Sequence, residues 1–172
     1  MGAGKTTVGA QCATRLDRPF VDTDELVEAT AGATVAEIFE RYGEPRFREL
    51  ERRAVADACG SPAPVVIACG GGAVLDPDNR RQLARAGFVV WLRAASAVLS
   101  ERVGATTSRP LLGPEGRGRA VTLERLATVR AGAYEAIADA VVDTDHLASV
   151  DGVAAAVLAV YAGRGTGERA DG

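Results

Sequence analysis

Short apolar runs that alternate with helical segments constrain the fold of this 172-residue chain more than any other feature. Residues 65–68 and 88–92 are uninterrupted apolar runs of strand length, and residues 20–21 and 140–142 are shorter ones. Continuous apolar runs are typical of strands buried on both faces of a parallel sheet. The alternation therefore predicts an α/β fold of three layers, with helices on both faces of a central parallel sheet.

The helical segments between these runs have recognisable ends. Residues 34–37 form a capping box that opens a helix running to Tyr42, with Gly43 as its stop. Asp76, followed by a proline, opens another helix that closes at Gly87. The remaining predicted helices cover residues 6–16, 46–53, 96–103, 122–139 and 149–162, and another passes through Leu26 and Val27.

Lys5 is the only lysine among the 20 lysine and arginine residues of the chain. Its segment, Gly2-Ala3-Gly4-Lys5-Thr6-Thr7, matches the second half of the phosphate-binding loop G-x-x-x-x-G-K-[ST]. In an arginine-rich chain, a retained lysine indicates a position that needs a compact ammonium, here to reach the β- and γ-phosphates of a nucleotide. The alternative is a glycine-rich tail with a chance lysine, and we favour the loop.

The first glycine of this loop would lie two residues before Met1. The strand that feeds such a loop is absent from the printed sequence as well. We therefore expect the natural polypeptide to begin upstream of Met1, so that the first strand of the sheet is absent from this chain.

Length, charge and cysteine content bear on the number of domains, the partners and the location of the protein. A chain of this length fits one domain, which we place at residues 1–162, and the glycine-rich residues 163–172 read as a disordered tail. The net charge of −3 gives no basic field for nucleic acid. An odd number of cysteines, no membrane-length apolar segment and no signal pattern favour a cytoplasmic protein that does not bind membranes.

Residues 104–120 differ in character from the rest of the chain. They are rich in glycine, proline and arginine and show no periodicity. A loop of this length inside a compact domain is typically an active-site lid, which is the interpretation we favour. Arg109 would then be placed to neutralise a transferred phosphoryl group.

Two carboxylates, Asp22 and Asp24, follow the predicted strand at residues 20–21. Ligands of open α/β sheets bind at the carboxyl ends of the strands. One carboxylate could hold Mg²⁺ and the other a hydroxyl of a second substrate. The equally weighted alternative is that Thr23 or Asp24 merely caps a helix.

Three further patterns suggest a ligand site. Arg48 and Glu51 are neighbours on one helical face, where the glutamate can orient the guanidinium for carboxylate recognition; a solvated charged face is the alternative. Gly70-Gly71-Gly72 follows the strand at residues 65–68, and three glycines allow a ligand close to the backbone. Arg130 lies on the predicted helix at residues 122–139.

Together these motifs resemble those of the shikimate kinase family, from Met1 to about Tyr161. The resemblance implies a phosphate-loop kinase fold like that of nucleoside monophosphate kinases, and phosphorylation of the 3-hydroxyl of shikimate by ATP. The motifs that carry it are 1–9, Val21-Asp22-Thr23-Asp24, Phe47-Arg48 with Glu51, 70–74, Arg109-Pro110-Leu111-Leu112, Arg130 with Tyr134, and Val142-Asp143-Thr144.

The resemblance also implies residue roles. The substrate site would comprise Asp24, Arg48, Glu51, Gly70, Gly71, Gly72, Arg130, Phe39 and Phe47, with both arginines on the shikimate carboxylate. The ATP site would comprise Gly2, Ala3, Gly4, Lys5, Thr6, Thr7, Arg102 and Arg109. Mg²⁺ would be held at Thr6 and Asp22, and catalysis would rest on Lys5, Asp24 and Arg109. The resemblance implies shikimate and ATP as the partners, and we expect the protein to be a monomer.

Two other functions stay open at this stage. One is a phosphate-loop kinase of another carboxylated polyol such as gluconate, because arginines would clamp that carboxylate too. The other is a nucleotide-binding module without catalysis, suggested by the incomplete loop.

Overall fold

The computed structural model describes residues 4–95, 117–147 and 149–165, without the side chains of residues 117–123. Over these residues the strands are β1 (Phe20–Asp22), β2 (Val66–Ala68), β3 (Val90–Arg93) and β4 (Ala140–Asp143). The helices are α1 (Lys5–Leu16), α2 (Thr23–Ala31), α3 (Val35–Cys59), α4 (Pro77–Ala86), α5 (Arg117–Glu135) and α6 (Val150–Ala162). Single 3₁₀ turns cover Ala73–Leu75 and Gly163–Gly165.

The strands form two parallel pairs. β1 pairs with β2 so that Val21 lies opposite Ile67, and β3 pairs with β4 so that Trp91 lies opposite Val141. Helices connect the strands, as parallel pairing requires. The α/β prediction is confirmed. Among the described strands, no hydrogen-bonded ladder joins one pair to the other.

Side-chain caps define several helix starts as the sequence predicts. The Thr34 hydroxyl accepts the amide of Glu37, and the Glu37 carboxylate accepts the amide of Thr34 at 2.9 Å, which completes the capping box of α3. Asp76 caps α4, whose first residue is a proline. Ser149 caps α6.

Gly43 breaks the helix at the position where the sequence predicts a stop. Its φ of 75° and ψ of 174° interrupt the helical backbone, but helix resumes at once and α3 continues to Cys59. Pro45 falls in the first turn after the break, where its missing amide leaves no hydrogen bond unmade. α3 therefore consists of two helical segments on either side of a kink at Gly43, and the predicted helix at residues 46–53 lies in the second segment.

The boundaries around α5 also differ from the prediction. Because α5 begins at Arg117, the last four residues of the predicted lid are helical. Residues 96–116 lie outside the described residues. They contain the rest of the predicted lid and the predicted helix at residues 96–103. The helix ends at Glu135 rather than Asp139. Asp139 is drawn out of the helix because its amide bonds the Val89 carbonyl at 2.9 Å and its carboxylate accepts the Val89 amide at 2.8 Å.

The predicted disordered tail begins too early. Residues 163–165 form a turn that continues α6, and the Arg164 guanidinium lies 3.3 Å from the centre of the Tyr161 ring. Residues 166–172 lie outside the described part of the chain.

Two apolar clusters form the core. The first lies between α2 and α3 and contains Val27, Ile38, Phe47, Leu50 and Ala54. The second lies under α1 and α6 and contains Val8, Cys12, Val142, Val153 and Ala154. The first cluster fixes the helix that carries Arg48, and the second fixes the helix that begins at Lys5.

The apolar strands are less buried than their sequences predict. Val90, Trp91 and Leu92 of β3 and Val66 and Ile67 of β2 are only partly buried, although the runs suggested strands covered on both sides. Within the described residues, each helix is too short or too polar to cross a lipid bilayer.

Candidate active site

The amino end of α1 meets the end of β1. Gly4 precedes the helix with a φ of 74°, a conformation that favours glycine, and Lys5 is the first helical residue. The Thr6 hydroxyl donates a hydrogen bond of 2.6 Å to Asp22 Oδ2. The helix amino end, where backbone amides and the dipole favour anions, therefore opens beside a buried carboxylate.

Asp22 has a second task in the fold. Its Oδ1 accepts the amide of Asp24 at 2.9 Å, which makes Asp22 the cap of α2. The expectation that Thr23 or Asp24 caps this helix is wrong, because α2 already begins at Thr23 and the cap position falls on Asp22. Asp22 thus connects the first turns of both helices. It accepts a hydrogen bond from the Thr6 hydroxyl of α1 and another from the Asp24 amide of α2.

Thr6 and Asp22 form an oxygen pair that suits Mg²⁺. The described residues contain no cluster of three or more His, Cys, Asp or Glu side chains that could hold a metal alone. Mg²⁺ is commonly bound by one or two protein oxygens together with substrate phosphates and water. The donor set therefore fits a magnesium ion that arrives with a nucleotide.

Arg48 is held between two carboxylates of its own helix. Its Nη1 lies 2.7 Å from Glu51 Oε2, and its Nη2 lies 2.9 Å from Glu44 Oε1. Burial opposes the charge of Arg48, but Glu51 and Glu44 outweigh it and raise the pKa of the guanidinium. Arg48 is therefore charged and fixed in direction.

Glu51 is almost fully buried, with 1% of its surface exposed. Its Oε1 has no hydrogen-bond partner among the described residues. Burial raises the pKa of Glu51, Asp24 adds to the rise, and Arg48 and Arg130 oppose it. These charges act on Glu51 because all three side chains meet around it.

Arg130 reaches the same place from α5. It is 5% exposed, its Nε has no hydrogen-bond partner, and it forms no ion pair within the described part of the chain. Burial lowers the pKa of Arg130, and the positive charge of Arg48 lowers it further. Two guanidinium groups thus converge on one buried carboxylate, and the arrangement favours an added anion.

The glycine segment after β2 passes close to these charges. A Cβ atom on Gly70 would lie 2.6 Å from Asp24 Oδ1, and one on Gly72 would lie 2.8 Å from Arg48 Nη2. The Gly70 amide donates to the Thr23 hydroxyl at 3.0 Å. Glycine is required here because any side chain would displace the charged groups.

Tyr134 and Thr23 support the site, although neither was among the site residues predicted from the sequence. The Tyr134 hydroxyl donates to the Gly71 carbonyl at 3.0 Å, and its ring stacks on Trp91 with centroids 5.2 Å apart. Tyr134 follows Arg130 by one helical turn, and that spacing was the available signal. Thr23 is fully buried and gave no comparable pattern.

Phe39 and Phe47 pack together with ring centroids 4.7 Å apart. The Arg48 guanidinium carbon lies 5.3 Å from the centre of the Phe47 ring. An apolar wall therefore borders the charged cluster, next to the arginine that the sequence analysis proposed for carboxylate recognition.

Cys69 lies between β2 and the glycines but is not a nucleophile. Burial raises the pKa of its thiol to about 12, with only a small opposing effect from Lys5. The thiol is protonated at neutral pH and behaves as a small apolar side chain.

The structure therefore brings together Asp24, Arg48, Glu51, Arg130 and the glycine segment, with Lys5, Thr6 and Asp22 beside them at the end of α1. Gly2, Ala3, Arg102 and Arg109 lie outside the described residues. A phosphate-loop helix at the carboxyl ends of parallel strands, next to arginines and carboxylates, defines a kinase-type α/β site.

Comparison with known proteins identifies the family. A family model for shikimate kinase matches residues 1–161. The shikimate kinase of Symbiobacterium thermophilum is 48% identical over 157 residues, 90% of this chain and 88% of that protein. The shikimate kinase of Stenotrophomonas maltophilia is 43% identical over 158 residues, 92% of this chain and 86% of that protein.

The fold comparison agrees with the sequences. A shikimate kinase from Acinetobacter baumannii, solved in complex with shikimate, superposes with a TM-score of 0.86 at 33% identity and covers 95% of this chain and 90% of that one. The chain belongs to the shikimate kinase family, and its fold is the phosphate-loop kinase fold. The resemblance described from the motifs is confirmed.

Proposed function

We propose that this chain transfers the γ-phosphoryl group of ATP to the 3-hydroxyl of shikimate, giving shikimate 3-phosphate and ADP. One observation carries the substrate assignment. Arg130 is buried beside Arg48 and forms no ion pair within the described residues. A buried guanidinium needs a charged partner, and the carboxylate of a small ligand completes the cluster.

The neighbouring groups suit the rest of shikimate, a carboxylated triol. Asp24 accepts hydrogen bonds from ring hydroxyls and takes the proton of the attacking 3-hydroxyl. The backbone at Gly70, Gly71 and Gly72 lets the ring lie close to β2. The Phe39 and Phe47 pair provides its apolar wall. Glu51 acts through Arg48 as a positioning residue.

The phosphate end of the site lies at α1. Gly4, Lys5, Thr6 and Thr7 bind the ATP phosphates through backbone amides and the ammonium group. Mg²⁺, held at Thr6 and Asp22, would neutralise phosphate charge. Gly2, Ala3, Arg102 and Arg109 are assigned to ATP from the sequence alone, with Arg109 at the γ-phosphate and Arg102 at adenine.

Phosphoryl transfer of this kind needs little covalent help from the protein. Positioning of the two substrates and stabilisation of charge account for most of the acceleration. Lys5, Asp24 and Arg109 are therefore the proposed catalytic residues. The domain is residues 1–162, with its lid in the 104–120 segment. We further propose a cytoplasmic monomer that binds no membrane and no nucleic acid. The net charge of −3 supports only the last of these, because it provides no basic field for nucleic acid.

A coupled assay of ADP release from Mg-ATP tests the proposal. We expect turnover with shikimate and much less with gluconate at equal concentration. Asp24→Asn should lose most activity while still binding shikimate in calorimetry, because the amide cannot take the proton. Turnover with gluconate alone would establish the polyol alternative. If the unaltered protein binds ATP but turns over neither substrate, the protein is a nucleotide-binding module without catalysis.

A further inference from the structure

Glu44 occupies one edge of the Arg48 guanidinium. Its Oε1 accepts a hydrogen bond from Arg48 Nε at 3.1 Å and another from Nη2 at 2.9 Å. The N–H groups of Nε and Nη2 point to the same side of the planar guanidinium, and together they form an edge that can hold a carboxylate by two hydrogen bonds. A carboxylate of the chain itself therefore already lies on this edge.

The other edges of Arg48 are less open to a ligand. Nη1 donates to Glu51, whose side chain is almost fully buried. Gly72 lies against the end of the fork, since an added Cβ there would be 2.8 Å from Nη2 and 2.9 Å from the guanidinium carbon. The Glu44 side chain is 52% exposed, so the edge that it holds borders solvent. A carboxylate that arrives from solvent consequently meets Arg48 on the side of Glu44.

The charge of Glu44 also acts on Arg130. Burial has the largest effect on the pKa of Arg130 and lowers it, whereas the negative charge of Glu44 is among those that raise it. Arg130 is buried and forms no ion pair within the described part of the chain. Glu44 thus lies within electrostatic reach of both arginines, as the substrate carboxylate does in the proposed function.

The local helix explains why Glu44 can leave this position and Glu51 cannot. Glu44 follows the kink at Gly43 and lies one turn before Arg48, a spacing and order that favour a helical ion pair. Exposed pairs of this kind are weak, and a ligand can displace them. Glu51 is buried, and its departure from Arg48 would leave a charge without a partner in the protein interior.

We propose that Glu44 competes with the substrate carboxylate for the Nε and Nη2 edge of Arg48. Glu44 holds the guanidinium before shikimate arrives, and shikimate displaces it on binding while Glu51 stays on Nη1. Glu44 therefore keeps Arg48 in position but weakens the affinity for shikimate, because one ion pair must break before the other forms. This inference rests on the proposed function, which supplies the carboxylate.

Calorimetric titration of Glu44→Ala tests the proposal. We expect this variant to bind shikimate about two- to fivefold more tightly than the unaltered protein, the gain from removing one competing exposed pair. The affinity for the methyl ester of shikimate should change much less, because the ester has no negative charge with which to replace Glu44. Glu49→Ala is the matched control and should leave both affinities unchanged, since Glu49 pairs with Arg53 at the same spacing on the same helix.

Hydrogen exchange at Arg48 Nε, followed by NMR, tests whether the ligand takes the same edge. In the unaltered protein this N–H is bonded to Glu44 before binding and to shikimate afterwards, so its exchange should be slow in both states. In Glu44→Ala it should exchange faster in the protein alone and become slow again when shikimate is bound.

Weaker binding of shikimate by Glu44→Ala would overturn the proposal and make Glu44 a second positioning residue beside Glu51. Unchanged affinity would overturn it as well, because the pair would then be an ordinary surface contact. So would fast exchange of the Nε–H in the variant with shikimate bound. In these three cases shikimate still binds, and the proposed function stands. If the unaltered protein binds no shikimate, the proposed function fails and this proposal fails with it.

Discussion

Arg48 is held by carboxylates on two sides, so its direction is set before a ligand binds. Arg48→Ala should raise the KM for shikimate by about ten- to a hundredfold, the loss expected for one charge-assisted contact worth about 1.5–3 kcal/mol. The KM for ATP should change little. Steady-state kinetics with Arg53→Ala as control separates recognition from folding, since Arg53 is an exposed residue whose one ion pair among the described residues is with Glu49. Equal losses for both substrates would indicate damage to the fold.

The raised pKa of Glu51 predicts how the stability of the fold depends on pH. Burial raises its pKa in the folded state above that of the unfolded chain, about 4.3. The folded state therefore holds this proton more tightly, and the stability it contributes is lost as pH rises through the raised pKa. Denaturant unfolding from pH 4 to 7 should show the unaltered protein losing stability relative to Glu51→Gln.

Glu37→Gln is the matched control for that measurement. Its bonds to Thr34 lower the pKa of Glu37, so the linked stability is present above the unfolded pKa and is lost as pH falls. As pH rises, the free energy of unfolding of the unaltered protein should increase relative to that of Glu37→Gln. For each variant, the difference in unfolding free energy from the unaltered protein is followed against pH. If this difference changes in the same direction for both variants, the account of Glu51 is contradicted.

Gly72 tests the close approach of the backbone to Arg48. In Gly72→Ala the new methyl would lie 2.9 Å from the guanidinium carbon, so Arg48 must move. Shikimate affinity should fall by about ten- to a hundredfold, as for other small displacements of a positioning group. Gly132→Ala, where nothing lies within 4 Å, should leave affinity unchanged and stabilise α5 by about 0.5–1 kcal/mol.

At the scale of elements, the kink in α3 orients the part of the helix that carries Arg48. Gly43 has a φ of 75°, which an alanine adopts only with strain, so Gly43→Ala should cost about 1–3 kcal/mol of unfolding free energy. Gly87→Ala is the control because the φ of Gly87, 171°, is ordinary extended backbone. Chemical denaturation measures the unfolding free energy of both variants. An equal loss in the two would mean that the positive φ of Gly43 does not make the alanine substitution more costly.

The elements themselves were largely predictable. Uninterrupted apolar runs located all four described strands, and side-chain caps at Thr34, Asp76 and Ser149 located helix starts. Ends set by tertiary contacts were not predictable. Asp139 leaves its helix because of bonds to Val89, fifty residues earlier in the chain, and no local pattern carries that information.

The site was predictable to the extent that its chemistry is local. Arg48 and Glu51 are neighbours on one helical turn, so their pairing followed from spacing alone. The approach of Gly72 to Arg48 and the bond from Gly70 to Thr23 join distant segments, and only the fold could reveal them. Arg102 and Arg109 remain predictions because they lie outside the described residues.

For the whole molecule, the described residues that we propose for shikimate binding come together independently of those proposed for the ATP phosphates. Asp24, Arg48, Glu51, Arg130 and the glycine segment come from α2, α3, α5 and the turn after β2, and their charges converge on Glu51. α2 and α3 pack on each other around one apolar cluster, and Tyr134 of α5 bonds the Gly71 carbonyl in the turn after β2. None of these contacts involves a nucleotide. Shikimate should therefore bind in the absence of ATP and Mg²⁺.

Calorimetric titration with shikimate and with its methyl ester tests this account most directly. The ester keeps the ring and hydroxyls but lacks the negative charge that Arg48 and Arg130 are proposed to bind. We predict that the unaltered protein binds the ester about ten- to a hundredfold more weakly than the acid, and that Arg48→Ala narrows this difference. Equal affinity for acid and ester, or no binding of either, would contradict the account.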